Sequence, residues 1–440
     1  ETRRMQVTVE SGEGLERRMR IELPFERIQG EVDKRLQGIA RSARLPGFRP
    51  GKVPMKVLRQ RYGNQVEIEV FGELVQSSFA EAVQDHALRL AGAPSVQPEI
   101  DQAARSFGFT ATFEVLPQIE LASLAGQVVK RPIAQLTDED LVLMIERLRE
   151  QRKTWVAVQR PGQIGDRLTI SYTGTLDGEP FDGGSASGTT VELGTGRMIP
   201  GFEDALVGAS AGEARTLDLS FPAGYQRADL AGRPVRFEVT VDAVSEPLLP
   251  EVDEAFARAF GVADGDVERF RADVRANMAR ELKQRIHGRI KDQVMELILK
   301  CHTLDIPRVL VADEINGLKQ QMRANLGGAQ FELPDSLFEE SAQRRVSLGL
   351  IIAEIVKQNG IKADPPRIRA AVEDMASTYE DPQEVIDYYY ADRQRLSPVE
   401  SLVLEEQVVD WALSQVTVEE EQLSFAQLTD PASAATAAGL

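Results

Sequence analysis

From Phe270 to Ile298 an apolar residue recurs at every fourth position: Phe270, Val274, Met278, Leu282, Ile286, Ile290, Val294 and Ile298. Such a row predicts a helix. On a straight helix, however, it drifts by ~40° per step. Over that length the row must change packing partners or leave part of itself uncovered. An apolar helix stripe ordinarily faces other helices. Met278 and Met295 nearby, with Met322 on a later helix, also suit a partly open surface that accepts varied apolar partners. After Pro247 and Pro250 the pattern is almost entirely helical. Pro307 suits a helix first turn, and further helices are predicted near 335–359, 365–378, 382–391 and 397–415.

Between residues 160 and 246 the period switches from four to two. Leu168, Ile170 and Tyr172 alternate with Arg167, Thr169 and Ser171. Leu217, Leu219 and Phe221 alternate likewise, as do Val235, Phe237, Val239 and Val241. Asp177-Gly178 is a hairpin turn signal. With one short helical piece near 199–208, this predicts a small antiparallel sheet wrapped on a helix. Residues 1–115 mix alternating runs (MQVTVE, RMRIEL, FGFTATFEVL) with helical stretches around 25–42 and 54–90. A connector at 116–159 carries a helix opened by Thr137 and Asp140, a capping signal. The reading is an α+β multidomain chain: α+β at 1–115, connector 116–159, sheet plus helix at 160–246, all-α at 247–420. The tail, 421–440, is expected to be disordered.

Composition narrows the class. Hydrophobic residues make up 42% and charged residues 27%, and no stretch approaches the ~18–20 apolar residues of a membrane span. The N-terminal residues lack an apolar signal core, and one cysteine, Cys301, excludes an internal disulfide framework. A cytoplasmic protein without a membrane partner is expected. The net charge of −18 argues against general nucleic-acid binding. Yet Lys34 to Arg61 contains nine cations and no acid, leaving −27 on the remainder. A solvated helix face is the ordinary meaning of a charge run. Here the run surrounds LPGFRPGKVP (45–54), where Phe48 stands on a Gly/Pro turn beside Arg49 and Lys52, so one local anionic contact explains it better.

Several chemistries fail on inspection. Gly47 and Gly51 enclose three residues and Val53 replaces the hydroxyl of a phosphate loop, while Gly194-Thr-Gly196 lacks the third glycine of a dinucleotide fingerprint. His86, His287 and His302 are scattered, and Cys301-His302 has no second ligand pair. No metal and no cofactor is expected. No G-x-S-x-G elbow accompanies any serine.

The specific signal is the order Y-T-G, D-G-x-x-F-D, L-G, I-P-G-F-E, F-P and F-x-V across 166–242, which resembles the FKBP family of peptidyl-prolyl isomerases. That resemblance implies a proline site lined by Tyr172, Phe181, Asp182, Met198, Ile199, Phe202, Tyr225 and Phe237, with Phe202 as floor where many members place Trp. The segment after Phe221 is shorter than in free-standing members, and Thr189 occupies a position often aromatic. The residue types make chemical sense alone. X-Pro rotation faces a barrier of ~18–20 kcal/mol from amide resonance, and a dry aromatic site favours the twisted, less polar amide. The same side chains could instead be the core of a small β-rich domain.

Beyond those eighty residues, LPGFRPGKVP, RLREQRKTW, MASTYEDPQEVIDYYY and LEEQVVDWALSQ resemble the bacterial trigger factor family in order along the chain. This implies an ATP-independent chaperone whose loop, Gly47, Phe48, Arg49, Pro50, Gly51 and Lys52, docks on a large-subunit protein and rRNA beside the ribosomal exit tunnel. Pro50 stands where some members place a cation. It further implies helical arms that hold nascent and unfolded polypeptides, a role in folding and export, and a homodimer off the ribosome. An isomerase whose helices only dimerise it, and a basic-loop nucleic-acid binder, remain as alternatives.

Overall fold

The computed structural model describes residues 5–42, 48, 53–101, 106–325, 333–377, 379 and 381–429. They fall into two compact units: 1–131 with 288–420, and 132–287 with 421–440.

In the first unit, β1 (Gln6–Ser11), β2 (Glu16–Pro24), β3 (Ser95–Asp101) and β4 (Ser106–Glu114) form an antiparallel sheet in the order β1-β2-β4-β3. The helices α1 (Phe25–Ser42) and α2 (Met55–Asp85) cover one face. Met19, Ile21 and Leu23 alternate inward on β2, Phe107, Phe109, Ala111 and Phe113 on β4. Phe71 and Phe79 of α2 meet Phe107 and Phe113 edge-on, with ring centroids 4.5 and 5.4 Å apart. Edge-on aromatic pairs lock helix to sheet more specifically than aliphatic burial does. The described part of the cationic run therefore falls largely on two helices, α1 and α2, that pack on each other and on the sheet.

The second unit contains α3 (Asp138–Gln151), β6 (Thr154–Val158), β7 (Arg167–Leu176), β8 (Glu179–Glu192), α4 (Phe202–Leu206), β9 (Ala214–Ser220), β10 (Pro234–Leu248) and α5 (Glu254–Ala259), following β5 (Val128–Ile133) in the chain. Thr137 and Asp140 close the capping box that opens α3. The sheet runs β6-β10-β7-β8, with β9 on the other side of β10. Asp177 and Gly178 join β7 to β8 with φ of 52° and 91°, the left-handed pair a two-residue hairpin requires. Leu168, Ile170, Leu217, Val235, Phe237, Val239 and Val241 point into one core around Phe202 and Leu206 of α4. A bulge between Val241 and Ala243 then shifts the register, so that Val244 faces inward where strict alternation would place Ala243.

The remaining helices are α6 (Val267–Cys301), α7 (Arg308–Asn325), α8 (Glu339–Asn359), α9 (Pro365–Ala376), α10 (Pro382–Tyr390) and α11 (Arg393–Gln415), followed by β11 (Thr417–Gln422) and α12 (Phe425–Thr429). The four-residue row on α6 changes partners. Phe270, Val274, Met278 and Leu282 join a cluster with Leu141, Ile145, Phe256, Val262 and Phe425. Val294 and Ile298 join another with Leu124, Val129, Ile351, Ile355 and Val408. Only Ile286 and Ile290, between the two, are half-exposed. The partly open reading of this row is thus corrected: Met278 and Met295 are buried core, and Met322 alone of the three is exposed. The expected disordered tail also needs correction. Residues 421–429 carry the end of β11 and α12, and Phe425 is buried; 430–440 lie outside the described residues.

Candidate functional site

Strands β7 and β10 and helix α4 bring three of the expected site residues into mutual contact. The Tyr172 and Phe237 ring centroids lie 5.7 Å apart, Phe202 and Phe237 5.5 Å, and Tyr172 and Phe202 6.2 Å, all edge-on. Cross-strand register explains the first pair: Val239 opposes Tyr172 and Phe237 opposes Gly174, so Tyr172 and Phe237 are diagonal neighbours on one face. Phe202 is 1% exposed and Phe237 6%, whereas Tyr172, Phe181, Met198 and Ile199 are half-buried around them. The buried rings form a floor, and the four half-buried side chains form an apolar rim reachable from solvent.

The other expected residues sit further out. Phe181 meets Phe221 at 6.1 Å, and Phe221 in turn meets Tyr225 at 4.7 Å. Tyr225 therefore joins the cluster only through Phe221. Asp182 is exposed, and its carbonyl accepts a guanidinium N–H of Arg227 at 2.7 Å, which ties the loop after Phe221 to β8 beside Phe181. Thr189 lies on β8 opposite Ile170.

Two features of the site were not singled out from the sequence. A Cβ on Gly174 would lie 2.6 Å from the Phe237 ring and 3.0 Å from the Phe181 ring, so the glycine of Y-T-G exists to let both rings close over the strand. Glu203, 6% exposed, follows the floor residue directly. Its carboxylate accepts the backbone N–H groups of Gly196, Arg197 and Met198 at 2.9, 2.8 and 3.1 Å, and the Thr195 hydroxyl at 3.2 Å. Burial pushes its pKa up, but the N–H groups of Gly196 and Met198, the Thr195 hydroxyl and the Arg197 N–H together outweigh burial and hold it below the usual 4.5. Glu203 stays charged and freezes the loop that presents Met198 and Ile199. The signal was present in I-P-G-F-E, where an acid sits next to the floor aromatic.

Of the residues expected to form a docking loop, Gly47, Arg49, Pro50, Gly51 and Lys52 lie outside the described residues. Phe48 is 40% exposed. Within the flanking cationic run, Lys34 pairs with Glu31 at 2.7 Å, and Arg35 and Arg59 pair with Glu73 and Asp33. Arg41, Lys56 and Arg61 are exposed and have no acidic partner among the described residues. His302 is a core residue: its Nε2 accepts the Ala122 N–H at 3.0 Å while its Nδ1 lies 2.7 Å from the Ile298 carbonyl. Among the described residues no three His, Cys, Asp or Glu side chains gather as metal ligands, and no helix is long and apolar enough to cross a membrane.

An antiparallel sheet folded over a short helix, with an aromatic floor and apolar rim, defines a prolyl isomerase of the FKBP class, and the family model "FKBP-type peptidyl-prolyl cis-trans isomerase" matches residues 159–242. On either side, the models for bacterial trigger factor protein and for its C-terminus match 5–148 and 266–414. The trigger factor of Thioalkalivibrio sulfidiphilus is 47% identical over 97% of this chain and 98% of its own. That of Stutzerimonas stutzeri is 48% identical over 99% and 100%. A solved trigger factor chaperone aligns with 93% of this chain and 99% of its own at 17% identity and a TM-score of 0.48. The chain belongs to the trigger factor family. It is an FKBP-type peptidyl-prolyl cis-trans isomerase and a ribosome-associated chaperone acting on nascent polypeptides in protein folding.

Proposed function

We propose that Tyr172, Phe181, Asp182, Met198, Ile199, Phe202, Tyr225 and Phe237 constitute the prolyl site, and that Gly47–Lys52 is the ribosome-docking loop. The observation that carries the first assignment is the mutual edge-on packing of Tyr172, Phe202 and Phe237 beneath a half-exposed rim. A proline ring seated there removes its amide from water, and the twisted amide, which loses resonance and polarity, is favoured over the planar one. No nucleophile, metal or cofactor takes part. Each 1.36 kcal/mol of preference for the twisted form is worth tenfold in rate.

For docking, the support is an exposed Phe48 between α1 and α2, whose Arg41, Lys56 and Arg61 are exposed and have no acidic partner among the described residues. These cations steer the domain to the anionic ribosome while Phe48 anchors it on protein. The functional divisions are 1–115 for docking, a connector at 116–159, 160–246 for isomerisation and 247–420 for holding clients. On this reading the protein works in the cytoplasm, partly on ribosomes; a homodimer when free is the further expectation that the family resemblance carries. Ribosome co-sedimentation of the full chain and of a Phe48/Arg49/Lys52 triple-alanine variant, with peptide isomerisation measured in parallel, tests both assignments. Isomerisation should persist in the variant while sedimentation is lost.

A further inference from the structure

Beside the prolyl site lies a second cleft of about 360 Å³, lined by the end of α3, by β6, β7 and β8, and by the loop that carries Met198. Its charged groups are Glu150, Lys153, Arg167, Glu192, Arg197 and Glu203. Three acids and three cations balance in number, yet the pairing is uneven. Glu203 is consumed by the backbone N–H groups of its loop. Glu192 pairs with Lys153, and Glu150 lies 3.6 Å from the same ammonium. Arg167 and Arg197 are left without any acidic partner among the described residues.

Arg167 is also held in place. Its guanidinium carbon lies 4.7 Å from the centre of the Trp155 ring, with the Lys153 ammonium 4.9 Å from the same ring. Its Nε is buried and has no hydrogen-bond partner, an expense that stable structures rarely tolerate without a function. A guanidinium stacked on an indole is pre-organised as a planar fork for a carboxylate, with little ordering left to do on binding. Arg197 supplies a second, exposed cation beside it. Met198 lines this cleft and also packs against the aromatic cluster, so a chain seated on the rim passes the cleft's mouth.

We propose that this cleft is a specificity subsite for an acidic side chain of the prolyl substrate, a client Asp or Glu near the isomerising X-Pro bond being received by Arg167 and Arg197. This rests on the prolyl-site assignment above. It makes the enzyme read client charge as well as proline, without contributing to bond rotation.

The test uses the full chain and capped peptides with one Ala-Pro bond, bearing Glu or Gln two residues before or two residues after it, with cis–trans exchange followed by NMR. In at least one placement kcat/KM should be roughly three- to tenfold higher for Glu than for Gln, the size of one charge-assisted contact at a half-exposed site. The preference should act through KM and shrink with added salt. Arg167→Gln should bring the ratio close to one. Arg197→Gln, a surface change that does not threaten folding, should also reduce the ratio. Equal rates for Glu and Gln peptides in both placements would overturn the subsite, as would a preference that survives both substitutions. Failure to accelerate any of the peptides would instead overturn the prolyl-site assignment, and the subsite with it.

Discussion

The Glu203 carboxylate accepts the Met198 backbone N–H at 3.1 Å and is bonded in sequence to Phe202, so one buried charge ties the rim of the aromatic cluster to its floor. Glu203→Gln keeps the shape but gives up the charge. It should cost about 1–3 kcal/mol, read as a fall of several degrees in the melting of the isomerase region. Catalysis should fall with it, because Met198 and Ile199 lose their fixed position. Unchanged melting and unchanged kcat/KM would remove Glu203 from the account.

The same group sets an acid limit. A carboxyl held below its usual 4.5 in the folded state stabilises fully above the unfolded value and loses that contribution as pH falls through the folded one. Asp166, buried but hydrogen-bonded by Arg160 and by the Gln163 N–H, is held below 3.8 and acts in the same direction. Stability of the isomerase region should therefore be flat at neutral pH and decline below about pH 4.5. Glu203→Gln should show a shallower decline. Chemical denaturation across a pH series decides the matter, and an equally steep decline in the variant would contradict it.

Gly174→Ala places a methyl 2.6 Å from the Phe237 ring. Phe237 is buried and cannot yield, so the expected cost is about 1–3 kcal/mol of overpacking together with a loss of isomerase activity. Gly184→Ala, whose Cβ meets only the half-buried Phe181 ring at 2.8 Å, should be milder. Equal effects of the two substitutions would show that the rings are not held as described.

Chaperone activity should follow the helices. The cluster around Phe256, Phe270 and Met278 takes no side chain from residues 160–246, so excising that segment should leave it standing. Such a deletion should still suppress aggregation of a denatured protein, while a chain lacking 250–430 should not. Met322, Leu337, Tyr379, Tyr388 and Tyr390 are exposed whereas most of the α6 row is buried, so client binding is expected to draw on the former rather than on the row. Aggregation assays on both deletions test this, and the reverse result would assign the helices to scaffolding.

Sequence periodicity made the main elements legible because each buries one face. The hairpin at Asp177-Gly178, the Thr137 cap and the change of partners along α6 follow from local rules that the structure obeys. What escaped depends on distant partners. β5 and β11 pair with each other although most of the chain's helices and strands lie between them in sequence, and their sequences, VVKRPI and TVEEEQ, are too polar to announce strands. Phe425 looks like a tail residue until the pocket formed by α3, α5 and α6 buries it. At the site, the aromatic residues could be read from their order. The tasks of Glu203 and Gly174 could not, since both depend on what a neighbouring loop or ring does in space.

On the proposed assignment, the rings of Tyr172, Phe202 and Phe237 form the surface on which X-Pro bonds turn. The most direct test is the cis–trans exchange rate of a short Ala-Pro peptide with the full chain and with Phe202→Leu and Tyr172→Leu, which keep apolar volume but remove a ring. Each variant should remain folded by circular dichroism and lose roughly tenfold or more in kcat/KM, equivalent to about 1.4 kcal/mol of transition-state preference. Folded variants that both isomerise the peptide within twofold of the parent chain would contradict the claim.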